Sequence, residues 1–128
     1  MNTKAKKSLV IVAVLAYHIA PVLAADRTSL YGEWGTDTQC SRALITPKGT
    51  KLAAPFDIRP DWLGHGDVWC RLNWGTESSN DDGLFAVAQA ICGEDNVRSY
   101  TLDFRLSGDE LTLTWDRWHK TGPVTRCE

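Results

Sequence analysis

Long apolar runs are scarce in this sequence of 128 residues, and the scarcity excludes several classes of protein. The only long run, Leu9 to Ala20, lies near the start of the chain, and no second run follows that could stop transfer through a membrane. The sequence also lacks a βαβ series, internal repeats and low-complexity segments. We therefore expect neither a multi-domain enzyme nor a nucleotide-binding α/β domain, and six tryptophans argue against a disordered chain.

An excess of basic charge is also absent. Three of the lysines, Lys4, Lys6 and Lys7, precede the apolar run, and the 104 residues after position 24 carry 11 basic and 16 acidic groups. Their net charge is near −5 with neutral histidines. This balance excludes a general binder of nucleic acid or of anionic membranes.

The first 24 residues have the pattern of a secretory signal. A lysine-containing start leads into the apolar run, Pro21 follows, and Val22 and Ala24 occupy the −3 and −1 positions of a cleavage site. We predict cleavage after Ala24, with Ala25 as the next candidate, and a single domain over residues 25–128. We expect a periplasmic or secreted protein without stable membrane insertion.

Four cysteines follow in the exported part, an even number that predicts two disulfides. The stretches 68–74 and 84–92 both have the composition of strands, and we predict a polar turn from Thr76 to Gly83. Placing Cys70 opposite Cys92 in an antiparallel hairpin puts Leu72 beside Ala90 and Trp74 beside Ala88, an entirely apolar face. This register favours a Cys70–Cys92 bridge.

The remaining bridge would then join Cys40 to Cys127 and tie the two ends of the domain together. The sequence contains no Cys-x-x-Cys pair and no Cys/His run with zinc spacing, so we expect no structural metal and no cofactor.

The clearest strand signal lies near the end of the chain, where apolar residues alternate with polar ones over 99–106 and again over 110–116. Gly108 lies at the first position of a two-residue loop, which predicts a type II′ hairpin with Leu106 beside Leu111. Other short strands are expected at 30–35, 43–45, 52–58 and 124–127. Together they indicate an all-β, up-and-down antiparallel barrel of about six to eight strands, with a sandwich as the alternative.

The Gly32-Glu33-Trp34 triplet resembles the Gly-x-Trp pattern that begins the first strand of lipocalin-like barrels. The resemblance implies that Trp34 packs across the closed end of a barrel and that Arg126 covers it. The wider outline, with a cysteine soon after this pattern, a cysteine hairpin and a terminal cysteine, is similar to that of small exported bacterial barrels. Some of these are inhibitors of proteases or of lysozyme.

One segment, 57–67, concentrates acids and a histidine. Asp61, His65 and Asp67 could hold a metal or perform acid–base chemistry, although a polar turn explains the same residues. No Gly-x-Ser-x-Gly pattern marks a nucleophile. The acidic stretch 80–83 superficially resembles a calcium loop, but it lacks that motif's spacing and is better explained as a hairpin turn.

The tryptophans divide into two sets. Strand alternation directs the side chains of Trp34, Trp74 and Trp115 to the inner face of the sheet, and we assign them to the core. Trp62, Trp69 and Trp118 do not fit the inward face. Trp69 shares its side of the hairpin with Arg71, a combination that is enriched at protein interfaces, and sugar stacking is another use of exposed tryptophan.

Three functions follow as hypotheses. The first is a non-enzymatic, inhibitor-like module that binds another exported or host protein through Trp62, His65, Trp69 and Arg71. The second is a carrier of a small apolar ligand in the barrel mouth, which requires an apolar cavity of a few hundred Å³. The third is a small hydrolase centred on His65 and nearby acids.

Overall fold

The computed structural model describes residues 26–41 and 54–128. Within these ranges the chain forms two single-turn helices and eight strands. Their bounds are η1 Arg27–Leu30, β1 Gly32–Gly35, α1 Asp37–Cys40, β2 Phe56–Ile58, β3 Trp62–His65, β4 Val68–Asn80, β5 Gly83–Cys92, β6 Arg98–Ser107, β7 Glu110–Trp115 and β8 His119–Arg126. None of the helices in the described ranges is long and apolar enough to cross a membrane.

The eight strands form a closed antiparallel barrel in which each strand pairs with its neighbours in chain order. Closure occurs between β1 and β8, where Trp34 lies opposite Arg126. The prediction of an all-β, up-and-down barrel is therefore confirmed, and closure excludes the sandwich. Closing the sheet removes the free edges that an open sheet of short strands would expose.

Both predicted hairpin registers are confirmed. Cys70 lies opposite Cys92 and Trp74 opposite Ala88, while Leu106 lies opposite Leu111. Gly108 has φ 61°, the positive value that the first position of a type II′ turn requires. In both hairpins the buried side chains alternate with exposed ones, because successive side chains of a strand point to opposite faces.

The predicted polar turn from Thr76 to Gly83 is wrong in extent. Strand β4 continues through these polar residues to Asn80, and the turn consists only of Asp81 and Asp82. A register shift between Trp74 and Glu77 marks a bulge in β4. The side chains beyond the bulge are exposed, so this part of the strand needs no apolar alternation and its composition resembles that of a turn.

The last strand is longer than predicted. It begins at His119 instead of Val124, ends at Arg126, and includes the Gly122-Pro123 pair. Proline lacks an N–H group, and here it lies where the register against β7 shifts between Leu111 and Leu113. Turn-forming residues within the strand therefore coincide with an irregularity in pairing and do not mark the start of the strand.

The segment 57–67, whose composition is typical of a polar turn, consists largely of strand residues. Asp57 belongs to β2, Trp62–His65 is strand β3, and only Gly66 and Asp67 form the turn into β4. The predicted extended stretch over 52–58 is observed as Phe56–Ile58, while residues 52 and 53 lie outside the described ranges. The predicted signal at 1–24 and the predicted strand at 43–45 also lie outside the described residues.

Two short helices flank β1, and neither follows from strand alternation. Helix η1 precedes β1, and its Leu30 is fully buried. Helix α1 follows β1 and begins with a capping box between Thr36 and Gln39. A Thr-x-x-Gln sequence is a recognised start signal for a helix.

One end of the barrel is closed by aromatic side chains around η1. Trp34 is buried and its indole Nε1 donates a hydrogen bond of 2.8 Å to the carbonyl of Leu30. The Arg126 guanidinium lies 4.4 Å from the centroid of the Trp34 ring, as the Gly-x-Trp resemblance implies. Trp74 packs against Phe104 with ring centroids 5.0 Å apart, so this half of the barrel is filled.

Both predicted disulfides are present. Cys40–Cys127 links α1 to the residue after β8 across a sequence separation of 87 residues. Cys70–Cys92 joins β4 to β5, and both cysteines are buried. Two disulfides indicate an oxidising compartment, because reducing cytosol does not maintain them.

Candidate functional site

The end of the barrel opposite η1 contains a cavity of about 410 Å³. We call it the mouth cavity, because the turns from β3 to β4, from β5 to β6 and from β7 to β8 lie at this end. Its described lining consists of Leu63, His65, Val68, Cys70, Cys92, Tyr100, Trp115, Asp116 and His119. The volume falls within the range of about 300–1,000 Å³ that is typical of small-molecule sites.

The walls of the mouth cavity are apolar and aromatic. The Cys70–Cys92 disulfide forms one part of the wall, together with Leu63 from the neighbouring strand. Tyr100 and Trp115 form another, with ring centroids 5.9 Å apart and ring planes at 88°. Both rings are only partly buried, although they pack against the core. The cavity thus has aromatic surface available for a ligand.

Asp116 is the only carboxylate among the described residues of the lining. It follows Trp115 directly and has a left-handed backbone with φ 48°. Its backbone N–H donates to the Thr101 carbonyl at 2.8 Å, and its Oδ1 accepts from the Thr101 N–H at 2.9 Å. These two hydrogen bonds hold the carboxylate beside the strand that carries Tyr100.

His65 lies across the mouth on the inner side of β3. Its ring stacks on Phe56, with centroids 4.3 Å apart and planes within 14° of parallel. Burial lowers the pKa of His65, and a hydrogen bond with the backbone of Ala54 partly opposes this effect. A neutral imidazole carries one N–H donor and one acceptor nitrogen, so His65 can both donate and accept a hydrogen bond.

The outer wall of the barrel carries a second feature, the outer tryptophan face, which consists of Trp62, Trp69 and Arg71. Trp62 lies opposite Arg71, and Trp69 lies opposite Gly64. A Cβ atom on Gly64 would approach Cζ3 of Trp62 to 2.9 Å, so the Trp62 ring lies across the glycine. Trp62 is 39% exposed and Trp69 is 51% exposed.

The structure separates the residues that the sequence placed in one binding site. Trp62, Trp69 and Arg71 share the outer face, whereas His65 lines the mouth cavity on the inner face. The reason is strand alternation, since His65 is an odd number of residues from Trp62 in the same strand.

The proposed acid–base group is also divided between two locations. Asp61 precedes β3, and His65 ends it, so the two lie about 13 Å apart along the strand. Asp67 is in the turn that follows His65. In the described parts of the chain, no three His, Cys, Asp or Glu residues are grouped so that they could hold a metal ion. The acidic stretch 80–83 contains the β4–β5 turn and the strand residue on each side of it, with Asn80 Oδ1 accepting from the Asp82 N–H at 2.8 Å.

Eight of the nine described lining residues were absent from the sequence-predicted site, and the aromatic, acidic and imidazole side chains among them are Tyr100, Trp115, Asp116 and His119. Strand alternation assigns Trp115 to the core, and its partly buried ring also lines the cavity. Three of these residues, Trp115, Asp116 and His119, lie around the β7–β8 turn, where the sequence shows a cluster of aromatic, acidic and imidazole groups.

Comparisons with known proteins give no assignment: no family model, no curated protein and no solved structure matches this chain.

Proposed function

We propose that this protein is an exported, non-enzymatic binding protein, periplasmic or secreted, that holds a small apolar ligand in the mouth cavity. The observation that carries the proposal is a cavity of about 410 Å³ with aromatic, aliphatic and disulfide walls in a barrel whose other end is filled. The interior of an eight-stranded barrel is either filled by side chains or wide enough to hold one small ligand, and the mouth cavity favours the ligand. The resemblance to lipocalin-like barrels supports the same proposal.

The proposed ligand site can be tested by titration with N-phenyl-1-naphthylamine. This neutral apolar dye fluoresces more strongly in apolar surroundings. We expect saturable enhancement with the disulfide-bonded protein. Val68→Trp should weaken dye binding by about tenfold or more, because Val68 lies on the rim of the cavity and a larger side chain there occupies the entrance.

Val97→Trp is the matched control. Val97 is 60% exposed and Val68 is 57% exposed, but Val97 is not among the residues that line the cavity. The control should bind the dye as the unmodified protein does, and both variants should retain its circular dichroism spectrum. Absence of enhancement with the unmodified protein, or equal binding by the Val68→Trp variant, would refute the proposal.

The exposure of Trp62 and Trp69 supports a second candidate function, an inhibitor-like contact with another protein through the outer tryptophan face. Tryptophan and arginine are enriched among the residues that contribute most to protein interfaces. A panel of purified proteases and lysozymes tests this function. Inhibition should be lost in a Trp62→Ala/Trp69→Ala variant and kept in a Phe85→Ala/Trp118→Ala variant, which removes two exposed aromatic side chains elsewhere. Absence of inhibition by the unmodified protein, or its persistence in the first variant, would reject this function.

A further inference from the structure

The lining of the mouth cavity is electrostatically one-sided among its described residues. It contains one carboxylate, Asp116, and neither lysine nor arginine. The remaining ionisable groups that face the cavity are the phenol of Tyr100 and the imidazoles of His65 and His119. A ligand carboxylate or phosphate would meet a like charge at Asp116 without a compensating permanent cation.

The polar groups of the mouth are suited to a hydrogen-bond donor. At a pH where the His65 ring is neutral, one of its two nitrogens is a hydrogen-bond acceptor. Asp116 accepts the Thr101 N–H with only one of its two oxygens. Each carboxylate oxygen accepts hydrogen bonds, so Asp116 retains capacity for a donor on the ligand.

The aromatic groups beside this carboxylate favour positive charge. Tyr100 and Trp115 meet at 88°, so their rings form two adjacent walls at a right angle. Asp116 follows Trp115 in sequence and is hydrogen-bonded to Thr101, the residue after Tyr100. Aromatic faces attract organic cations, and a nearby carboxylate adds a charge-assisted hydrogen bond.

We propose that the mouth cavity binds an organic amine, with the ammonium group at Tyr100, Trp115 and Asp116 and the apolar body against the Cys70–Cys92 disulfide. The proposal rests on the function proposed above and specifies its ligand class. Sulfur makes favourable contacts with aromatic rings, so an aromatic body suits this wall.

Three indole compounds that differ in the head group test the proposal: tryptamine is a cation, tryptophol is neutral, and indole-3-acetate is an anion. Calorimetric titrations of the full disulfide-bonded chain at pH 8 and low salt compare them, above the range in which imidazoles ordinarily titrate. We expect tryptamine to bind at least about tenfold more tightly than tryptophol, and indole-3-acetate to bind more weakly than either.

Asp116→Asn isolates the carboxylate. The amide oxygen of asparagine can still accept from the Thr101 N–H, so the turn should keep its hydrogen bond while the negative charge is lost. The affinity for tryptamine should fall about tenfold, while the affinity for tryptophol should stay within about twofold. Asp109→Asn, at the opposite end of the barrel in the β6–β7 turn, removes the same charge and should change neither affinity.

The adverse results distinguish failure of the amine proposal from failure of the cavity proposal. If tryptophol or indole-3-acetate binds as tightly as tryptamine, or if Asp116→Asn weakens tryptamine and tryptophol equally, the amine proposal is wrong and the cavity proposal stands. Failure of tryptamine to bind at millimolar concentration, with dye binding intact, has the same meaning. Failure of both tryptamine and the dye would overturn the two proposals together.

Discussion

The guanidinium of Arg126 lies 4.4 Å from the centroid of the Trp34 ring, at the end of the barrel opposite the mouth cavity. Its two terminal nitrogens donate hydrogen bonds to backbone carbonyls, Nη1 to Tyr31 at 2.6 Å and Nη2 to Ser29 at 2.7 Å. One side chain from the last strand therefore holds the segment that enters the first strand. The fork of donors on arginine makes this arrangement possible, and lysine could not reproduce it.

Replacing Arg126 with methionine should lower the free energy of unfolding by about 1–2 kcal/mol, because methionine keeps an unbranched apolar stem but loses the hydrogen bonds and the cation–π contact. Urea denaturation followed by tryptophan fluorescence measures the change. Arg105→Met, on the exposed side of β6, should stay within about 0.5 kcal/mol of the unmodified protein. Equal losses in the two variants would show that the contact with Trp34 contributes nothing specific.

Gly32→Ala should be more destabilising than Gly108→Ala. Both glycines have positive φ, 129° and 61°, but a Cβ on Gly32 would lie 2.6 Å from Nη1 of Arg126, whereas a Cβ on Gly108 would have no atom within 4 Å apart from those of its chain neighbours. We expect a loss of about 1–3 kcal/mol at Gly32, measured by urea denaturation.

The Arg126→Met variant provides the control for this steric explanation. Combined with Gly32→Ala, it should give a smaller total loss than the sum of the single losses, because the clash requires the guanidinium. Additive losses would assign the whole effect to the backbone conformation.

The two disulfides should contribute differently. Replacing Cys40 and Cys127 with alanine should cost about 4–5 kcal/mol by the chain-entropy estimate for a separation of 87 residues, and should leave dye binding unchanged under conditions where the variant is folded. Replacing Cys70 and Cys92 should cost about 3 kcal/mol or more and should also weaken dye binding, because this bridge lines the cavity. Unfolding and dye titrations of both variants check this, and unchanged dye binding in the second variant would contradict it.

Acid should destabilise the protein partly through His65. Burial lowers the pKa of this histidine in the folded state, so between that pKa and the ordinary value of 6.5 the unfolded chain binds more protons than the folded one. The free energy of unfolding should therefore fall as pH drops below about 6.5, with a slope from this group of at most about 1.4 kcal/mol per pH unit.

A His65→Gln variant tests this linkage, since glutamine does not titrate. Urea denaturation at several pH values from about 7 to 5 should show a steeper loss in the unmodified protein than in the variant. Parallel curves would indicate that His65 titrates equally in the folded and unfolded chains.

Much of the pairing was predictable because it is local. Leu72, Ala90, Leu106 and Leu111 alternate with polar residues within single hairpins, and glycine turns and a cysteine pair align those hairpins. The predicted strand bounds are wrong where residue types that are typical of turns adopt a strand conformation. This occurs in the polar continuation of β4 to Asn80 and in the Gly122-Pro123 pair within β8. Exposed strands and irregular ladders tolerate residues that are otherwise typical of turns.

The sequence by itself determined the registers of two hairpins and both disulfides, since these depend on alternation and cysteine arithmetic, and the resemblance to lipocalin-like barrels implied the contact of Arg126 with Trp34. Only the tertiary structure decided that His65 lines one cavity with Asp116 and does not share the outer face of Trp62 and Trp69. Barrel closure brings strand ends that are some 50 residues apart in sequence to one mouth, and the face on which a side chain lies depends on its position in the strand.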